Sequence, residues 1–339
     1  MPDLVAEYTE AHDHAVLFDV TERGKVEVSG ADAAIFLQNL CTNDVKNLEV
    51  DHGCEAFLTT AQARVVAHLL IYRVRLPDGR DAYQLDVASG MAEKVIKHLD
   101  HYIISEQVEL ADRTQELSQV HLAGPEARAI VERVTGGNTL NIDDLQFTTT
   151  AMGANVNCQV RRHSPLSVTG YDILCPQAHF QEIRLALTSA GAVPAGSEAY
   201  NVLRIEAGTP IHGAEIDDNR FVMELGRTSQ AICYRKGCFL GQEPIVMARD
   251  RGHVNRTLLG LRFAPDGRAD AGTKLFREGK EVGQVTSSAM SPRLGAIGLA
   301  FIRRGNQEPG TIVEFEAAGS KRTAEVVSLP FSSLGAGAG

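Results

Sequence analysis

The last third of the chain loses helical periodicity. After Arg256, apolar residues come in short alternating runs separated by glycines, without the spacing of three or four that an amphipathic helix requires. Strands are predicted over Thr257–Phe263, Lys274–Arg277, Val282–Ser287, Ala296–Ile302, Thr311–Glu316 and Arg322–Leu329. Many short strands joined by glycine turns are typical of a small β-barrel or sandwich. We therefore predict a β-barrel domain over residues 256–330 and a flexible tail at 331–339.

Residues 1–250 mix strands with helices and are predicted to form two α+β subdomains. Strands at Cys54–Thr59 and Val65–Arg75 lie between two helical segments, which gives a split β-α-β arrangement. Helices are predicted over Asp32–Leu40, Met91–Tyr102, Gln177–Ala190 and Ser197–Ala207. This order favours an α+β fold over a parallel doubly wound sheet. No G-x-G-x-x-G follows a strand, so a dinucleotide fold is not indicated.

Composition restricts the class of protein. The net charge of −10, without a block of like charge, argues against a general nucleic-acid surface. No apolar run approaches the ~18 residues of a membrane span, and the N-terminus lacks the features of a signal peptide. The six cysteines are scattered, which predicts reduced thiols and no four-ligand metal site. We expect a cytoplasmic monomer that binds no membrane.

The stretch Tyr234–Glu243 carries an unusual mixture of chemical groups. Arg235 and Lys236 precede Cys238, and nearby cations lower the pKa of a thiol. Gly241 permits a positive φ or a close approach to a ligand. The alternative is a glycine-punctuated loop entering a helix, with the cysteine packed as a small hydrophobe. The residues alone leave both interpretations open.

Lys236–Glu243, which reads K-G-C-F-L-G-Q-E, resembles the signature K-G-C-Y/F-x-G-Q-E of the folate-binding YgfZ family. That family is related to the aminomethyltransferase T-protein of the glycine cleavage system. Further segments that resemble these families are Phe36–Val45, Leu203–Gly208, Ala248–Arg256 and Ser287–Pro292, so the resemblance covers nearly the whole chain. It implies interlocked ferredoxin-like subdomains around a central folate channel, followed by a C-terminal β-barrel.

The resemblance also implies tetrahydrofolate or a derivative as the ligand. It assigns Glu206 to the pterin ring, whose N–H and amine a carboxylate can bind as a bidentate pair. The other predicted folate-binding residues are Arg204, Lys236, Tyr234, Phe239, Gln242, Glu243, Arg249, Arg251, Asn43 and Asp44. The competing interpretations are solvated surface arginines, a glutamate near a helix end, and plain turn chemistry at Asn43 and Asp44.

Two departures from the T-protein pattern guide the functional prediction. T-proteins carry an acid beside the reacting folate nitrogen, and the matching place here holds Ala67 and His68. His68 could replace the acid because histidine titrates near neutrality, but a histidine in an apolar strand is more often a satisfied core residue. T-proteins also lack the thiol of Cys238. Both features favour the YgfZ type and argue against glycine-cleavage transfer.

The resulting hypothesis is an accessory protein more than a classical enzyme. It would support iron–sulfur cluster assembly or repair and tRNA modification, with Cys238 as the functional thiol and iron–sulfur client or assembly proteins as partners. One alternative is a folate-dependent aminomethyltransferase or another one-carbon transferase. Another is a folate-binding module without chemistry.

Overall fold

The computed structural model describes residues 3–137, 140–252, 254–265, 267–317 and 319–331. The helices are α1 Leu4–Asp13, α2 Ala33–Leu40, α3 Ala92–Asp100, α4 Ala127–Val134, α5 Phe180–Ser189, α6 Ser197–Ala207, α7 Thr228–Ala231 and α8 Gln242–Arg251. The first strands are β1 Val16–Asp19, β2 Gly24–Ser29, β3 Gly53–Thr59, β4 Val65–Arg75, β5 Asp81–Val87, β6 Glu109–Asp112, β7 Leu117–Ala123, β8 Phe147–Met152, β9 Val156–Arg162, β10 Gly170–Pro176 and β11 Val193–Pro194. The last strands are β12 Arg256–Phe263, β13 Lys274–Arg277, β14 Lys280–Ser291, β15 Gly295–Arg303, β16 Ile312–Ala317 and β17 Ser320–Val327.

Two open sheets are interlocked by the path of the chain. One has five strands in the order β3-β4-β5-β2-β6, and the other has six in the order β11-β1-β7-β10-β9-β8. Strand β1 pairs with β7 and β11 in the six-stranded sheet. Between β1 and β7, the chain forms the strands of the five-stranded sheet. The six-stranded sheet therefore depends on a segment that is distant in sequence, whereas the five-stranded sheet is built from consecutive strands.

Strand β4 shows how the sheet separates a core from a site. Successive side chains of a strand point to opposite faces. Leu69 and Ile71 join the apolar cluster that includes α2 and α3, whereas Leu70 and Tyr72 contact a small cluster with Phe147 of the other sheet. The face that carries Leu70 therefore looks toward the six-stranded sheet, and the cavity described below lies along it.

The C-terminal strands close into a six-stranded barrel in the order β12-β15-β14-β13-β16-β17. Its interior is filled by apolar side chains such as Leu261, Val313 and Phe315. The predicted α+β fold with a C-terminal β-barrel is confirmed. Strand β14 extends to Ser291, beyond its predicted end at Ser287, because its pairing with β15 continues to Gly295.

The ends of the chain differ in part from expectation. Helix α1 and strand β1 were not predicted. Half of the ten α1 residues are polar, and only Glu7, Tyr8 and Ala11 are buried, so the helix gives a weak apolar pattern. Phe331 is 9% exposed, and its N–H donates to the Glu206 carbonyl at 2.8 Å, so it belongs to the folded part. The rest of the predicted tail, 332–339, lies outside the described residues. Within the described ranges, no helix combines the length and apolarity needed to cross a bilayer.

Candidate functional site

A cavity lies between the two open sheets. Its inner chamber of about 90 Å³ is lined from β3, β4 and β10, with helix α6 contributing as well. It adjoins an outer chamber of about 630 Å³, and Tyr200 and Arg204 of α6 line both. The walls are largely apolar and include Val20, Leu70 and Ile216. Apolar walls with a few polar groups are typical of small-molecule sites.

The five-stranded sheet contributes a carboxylate–histidine pair to the inner chamber. Glu55 of β3 and His68 of β4 are diagonal neighbours, because Glu55 is in register with Leu70, two residues further along. His68 Nε2 lies 2.8 Å from Glu55 Oε1. Arg227, which immediately precedes α7, donates to both Glu55 oxygens, with Nη2 2.5 Å from Oε2. Glu55 is therefore fully engaged in holding two cationic or cation-forming side chains.

The charge of Glu55 follows from these partners. Burial by itself disfavours the carboxylate, but hydrogen bonding by Arg227 and, whenever its ring is protonated, the charge of His68 outweigh burial and hold the pKa of Glu55 well below its usual range. An ionised Glu55 fixes the Nε2–H tautomer of a neutral His68. The remaining nitrogen, Nδ1, then carries a lone pair, and no described residue donates a hydrogen bond to it.

His68 is accessible to a ligand. Its side chain is 23% exposed, and it lines the inner chamber. The sequence pattern favoured a satisfied core histidine, but the structure shows a cavity residue whose orientation is fixed by its neighbour. Such an arrangement is what a general base requires.

The six-stranded sheet contributes a second pair. His121 of β7 and Asp172 of β10 are directly opposite in the antiparallel register, and His121 Nδ1 lies 2.9 Å from Asp172 Oδ1. Burial opposes ionisation, but His121, followed by His163 and Arg23, outweighs burial and lowers the pKa of Asp172 to about 2. Asp172 lines the inner chamber, and its Oδ2 accepts no hydrogen bond from any described residue. That oxygen can accept from a ligand.

The arginines of the cavity are already paired. Arg23 Nε lies 2.5 Å from Asp86 Oδ1, and Arg204 Nη1 lies 2.9 Å from Glu215 Oε2. These carboxylates neutralise the two guanidinium groups. Among the described residues of the chamber, Asp172 is therefore the ionised one with a carboxylate oxygen available to a ligand.

Arg204 lines the cavity as the sequence suggested, but Glu206 does not. Glu206 is 4% exposed and faces away from both chambers. Its carboxylate accepts hydrogen bonds from three hydroxyl groups, which belong to Tyr8 at 2.8 Å, Ser291 at 2.6 Å and Ser167 at 3.1 Å. Glu206 therefore joins α6 to α1 and to the barrel, and it does not contribute to the cavity.

Lys236 is also committed elsewhere. Its buried ammonium donates to the backbone carbonyls of Gln38, Cys41 and Asn43 at 2.6, 2.7 and 2.7 Å, where helix α2 ends. Burial lowers the pKa of Lys236. The expected roles beside the thiol and beside a folate tail do not agree with this position.

The remaining predicted residues line neither chamber. They are Asn43, Asp44, Tyr234, Cys238, Phe239, Gln242, Glu243, Arg249 and Arg251. Arg249 lies over the Tyr234 ring at 4.8 Å and pairs with Asp250, while Asn43 Nδ2 donates to the Glu55 carbonyl at 2.8 Å. Gly241 has φ 83°, and a Cβ there would lie 2.6 Å from Thr59 Oγ1, so the loop packs tightly onto the β3–β4 hairpin. The thiol of Cys238 is exposed.

Sequence reasoning missed Glu55, Arg227, His121 and Asp172. A signal was present for the two carboxylates, because each stands in an otherwise apolar strand, as in Cys54-Glu55-Ala56-Phe57. Acidic residues are rarely buried unless they are paired. The identity of the pairing partners depends on tertiary structure and could not be inferred.

The comparisons with known proteins agree with this architecture. The family model described as the GCVT N-terminal domain matches residues 2–229, and that of the glycine cleavage T-protein C-terminal barrel domain matches residues 256–332. The chain therefore belongs to the family of the glycine cleavage T-protein. A solved structure, the glycine cleavage system aminomethyltransferase T of Bartonella henselae, superposes with a TM-score of 0.86 at 22% identity, covering 97% of this chain and 90% of that one, which supports the fold.

Curated relatives carry the name aminomethyltransferase. One from Geobacillus sp. (strain WCH70) is 30% identical over 330 residues, covering 96% of this chain and 89% of the relative. One from Desulforamulus reducens is 28% identical over 338 residues, covering 97% and 89%. These relatives contradict the main functional prediction, an accessory protein for iron–sulfur clusters and tRNA modification, which was wrong. The prediction that the protein is more an accessory protein than a classical enzyme is likewise unsupported. The expected partners and the monomeric state stay predictions.

Proposed function

We propose that the protein is a folate-dependent aminomethyltransferase, which transfers the one-carbon unit of a thiol-bound aminomethyl donor onto reduced folate and releases the amino group as ammonia and the carrier as a free thiol. The observation that carries the proposal is the cavity, to which one sheet contributes the Glu55–His68 pair and the other sheet the Asp172 carboxylate, with His121 hydrogen-bonded behind it. The names of the relatives supply the reaction class. Pairs of titratable groups held in different environments are a common basis for acid–base chemistry.

The cavity suits a reduced folate. Ligand sites of this kind span about 300–1,000 Å³. The outer chamber of about 630 Å³ falls in this range and would hold most of the ligand, while the inner chamber of about 90 Å³ would hold the end that meets Asp172. Asp172 Oδ2 can accept from the N–H groups of a pterin, and Leu70 and Met91 provide apolar contact for the ring. Tyr200 lines both chambers and offers an aromatic face to the aminobenzoyl part.

The residues of the chain then have distinct tasks. Reduced folate, when bound, supplies the nitrogen that receives the carbon. His68 Nδ1 can take up a proton and return it, since Nε2 is occupied by Glu55. Ionised Glu55, held by Arg227, stabilises the imidazolium that results. The acid expected from the T-protein pattern is thus replaced by a histidine with a buried carboxylate behind it.

The variant His68→Ala tests the proton-transfer step. A general base contributes about 10²- to 10⁴-fold to a rate, so turnover with a lipoyl carrier protein and tetrahydrofolate should fall by that factor. Folate affinity should stay near the wild-type value, because His68 is not assigned to the pterin. If the wild-type protein turns over no faster than a reaction without protein, aminomethyl transfer is wrong, and a binding module is the better description.

Calorimetry with tetrahydrofolate tests the binding role of Asp172. Asp172→Asn removes a charge-assisted acceptor, which should weaken binding by about 1.5–3 kcal/mol. Glu206→Gln is the matched control, since it makes the same chemical change in a carboxylate that lies outside both chambers. Equal affinity of Asp172→Asn and wild type would remove Asp172 from the site.

The narrower assignment to the YgfZ branch of the family rests on the Lys236–Glu243 motif and remains a proposal about descent. It adds no activity to the one proposed above.

A further inference from the structure

We infer that His121, which lines neither chamber, is a positioning residue that holds the Asp172 carboxylate ionised and turned toward the folate site. The inference rests on the proposed function for the nature of the ligand. Its geometric part concerns His121 and Asp172 alone and can be tested without folate.

The two residues face each other across a rigid pair of strands. Asp172 and His121 occupy directly opposed positions of β10 and β7, as the third of seven consecutive register pairs. His121 is 1% exposed, so the residues packed around its ring restrict the rotation of the ring. Its Nδ1 donates to Asp172 Oδ1 at 2.9 Å. With that oxygen occupied, Oδ2 is the one presented to the cavity.

The other side of the imidazole is also fixed. Ser164 Oγ lies 3.4 Å from His121 Nε2 and receives the Leu166 N–H at 3.2 Å, so its own proton is free to point at the ring. This contact favours the tautomer with the proton on Nδ1, which the Asp172 bond requires. Both nitrogens therefore have complementary neighbours.

Gly170 provides the space for this arrangement. It lies two residues before Asp172 on the same face of β10. A Cβ at Gly170 would lie 2.6 Å from His121 Nε2 and 2.7 Å from its Cε1, distances at which the ring must move. A side chain as small as alanine at this position would displace His121 without changing either functional group.

Other charged and titratable groups also act on Asp172. They come from the loop after β9, the segment before β2, β9 itself, α6 and β4, and are His163, Arg23, Arg161, Tyr200 and Tyr72. His121 is the one that donates a hydrogen bond to the Asp172 carboxylate. Its removal should therefore affect the carboxylate more than removal of a distant charge would.

The first experiment follows the Asp172 carboxyl by NMR in the ligand-free protein labelled with ¹³C-aspartate. In His121→Leu we expect the pKa of Asp172 to rise above the ~3.9 of a free aspartate, because burial is no longer opposed by the histidine. In His121→Asn an amide N–H can replace Nδ1–H, and the pKa should stay low. An unchanged Asp172 titration in His121→Leu would overturn the inference, whatever the protein binds.

The second experiment measures tetrahydrofolate affinity. Partners that orient metal-ligating side chains are typically worth about 10- to 100-fold in metal affinity. By analogy, we expect a loss of tetrahydrofolate affinity of that order in both His121→Leu and Gly170→Ala, increasing as the pH is lowered toward 5. His121→Asn should recover most of the affinity. His98→Leu is the control for loss of a half-buried histidine, since His98 lies on α3 outside both chambers.

The outcomes separate the two claims. A wild-type protein that fails to bind tetrahydrofolate, while Asp172 still titrates higher in His121→Leu, overturns the proposed function and supports the positioning. Folate binding that is equally strong in His121→Leu, His121→Asn and wild type overturns the positioning and leaves the proposed function standing. Urea denaturation of each variant shows whether a loss of affinity reflects unfolding.

Discussion

Ionised side chains of the cavity are buried together with the groups that donate hydrogen bonds to them. Glu55 is held by Arg227 and His68, and Asp172 by His121. Removing one partner of a buried ion pair leaves an uncompensated charge, which costs far more than the intact pair contributes. Substitution of either member of such a pair should therefore destabilise the protein, and the size of the loss should depend on pH.

Arg227→Gln should destabilise the protein by about 3–5 kcal/mol at pH 7. The pKa of Glu55 is depressed in the folded state, so its stabilising contribution is present above the unfolded value of ~4.3 and is lost as the pH falls through the folded value. In Arg227→Gln, burial is no longer opposed by the guanidinium, so the pKa of Glu55 rises and the carboxyl takes up a proton at a higher pH. The loss in free energy of unfolding relative to wild type should therefore shrink as the pH approaches 4. Urea denaturation at several pH values measures it.

Arg113→Gln is the control for Arg227→Gln. Arg113 forms a more exposed pair with Glu27 and Glu116, and exposed pairs contribute about 0–1 kcal/mol. A stability loss for Arg227→Gln no larger than this, or one that is independent of pH, would contradict the role assigned to the Glu55 pair.

Exposure predicts the order in which the thiols react. Cys238 is exposed and Cys233 is partly buried, whereas burial raises the pKa of Cys41 and Cys158 to about 12 and that of Cys175 to about 11. Thiolates are the reactive form. Mass spectrometry after brief labelling at neutral pH should find Cys238 modified first and Cys233 later. Early labelling of Cys41 would mean that α2 opens more readily than its packing implies.

At the scale of elements, Lys236 joins the loop before α8 to the end of α2. Helix ends leave carbonyl groups without intrahelical partners, and the Lys236 ammonium donates to three backbone carbonyls around that end. Lys236 of the motif therefore binds the carbonyl groups at the end of α2, although it was predicted to lower the pKa of the thiol. The Leu240 N–H, which donates to the Asn39 carbonyl at 2.8 Å, holds the same loop to α2.

Lys236→Met should be destabilising, because it keeps the apolar stem and removes the donors. Each buried acceptor left unsatisfied costs about 1–3 kcal/mol, so a loss of at least ~2 kcal/mol is expected in urea denaturation. Lys94→Met is the matched control, since Lys94 pairs at the surface with exposed Asp218. Similar stability of the two variants would show that the Lys236 contacts contribute little.

The elements were more predictable than the site for a physical reason. Strand β4 and helix α6 were predicted with the bounds observed, since apolar periodicity and the left-handed Gly208 after α6 are local signals. The site depends on pairs far apart in sequence, such as Arg227 with Glu55 at a separation of 172 residues and His121 with Asp172 at 51. The motif drew attention to a thiol that the fold places outside the cavity.

On the scale of the whole molecule, α6 connects the cavity to the barrel. Arg204, which lines the cavity, donates to Ser287 Oγ of β14 at 2.6 Å. Glu206, on the same helix, accepts from Ser291 of the same strand. Tyr8 of α1 donates to that carboxylate as well. The barrel, the N-terminal helix and the cavity wall are therefore joined at one helix.

Glu206→Ala tests this connection and separates it from a role in binding. Hydrogen bonds to a charged group contribute about 1.5–3 kcal/mol each, and three buried or half-buried hydroxyls lose their acceptor, so the free energy of unfolding should fall by at least ~3 kcal/mol. Hydrogen exchange should accelerate more in α1 and β14 than in β4 and β10, because the former lose a direct contact and the latter are affected only through global unfolding. Glu198→Ala, in the exposed first turn of α6, should change neither quantity. Weaker tetrahydrofolate binding in Glu206→Ala without a loss of stability would instead mean that this carboxylate reaches the ligand and that the assignment to Asp172 is wrong.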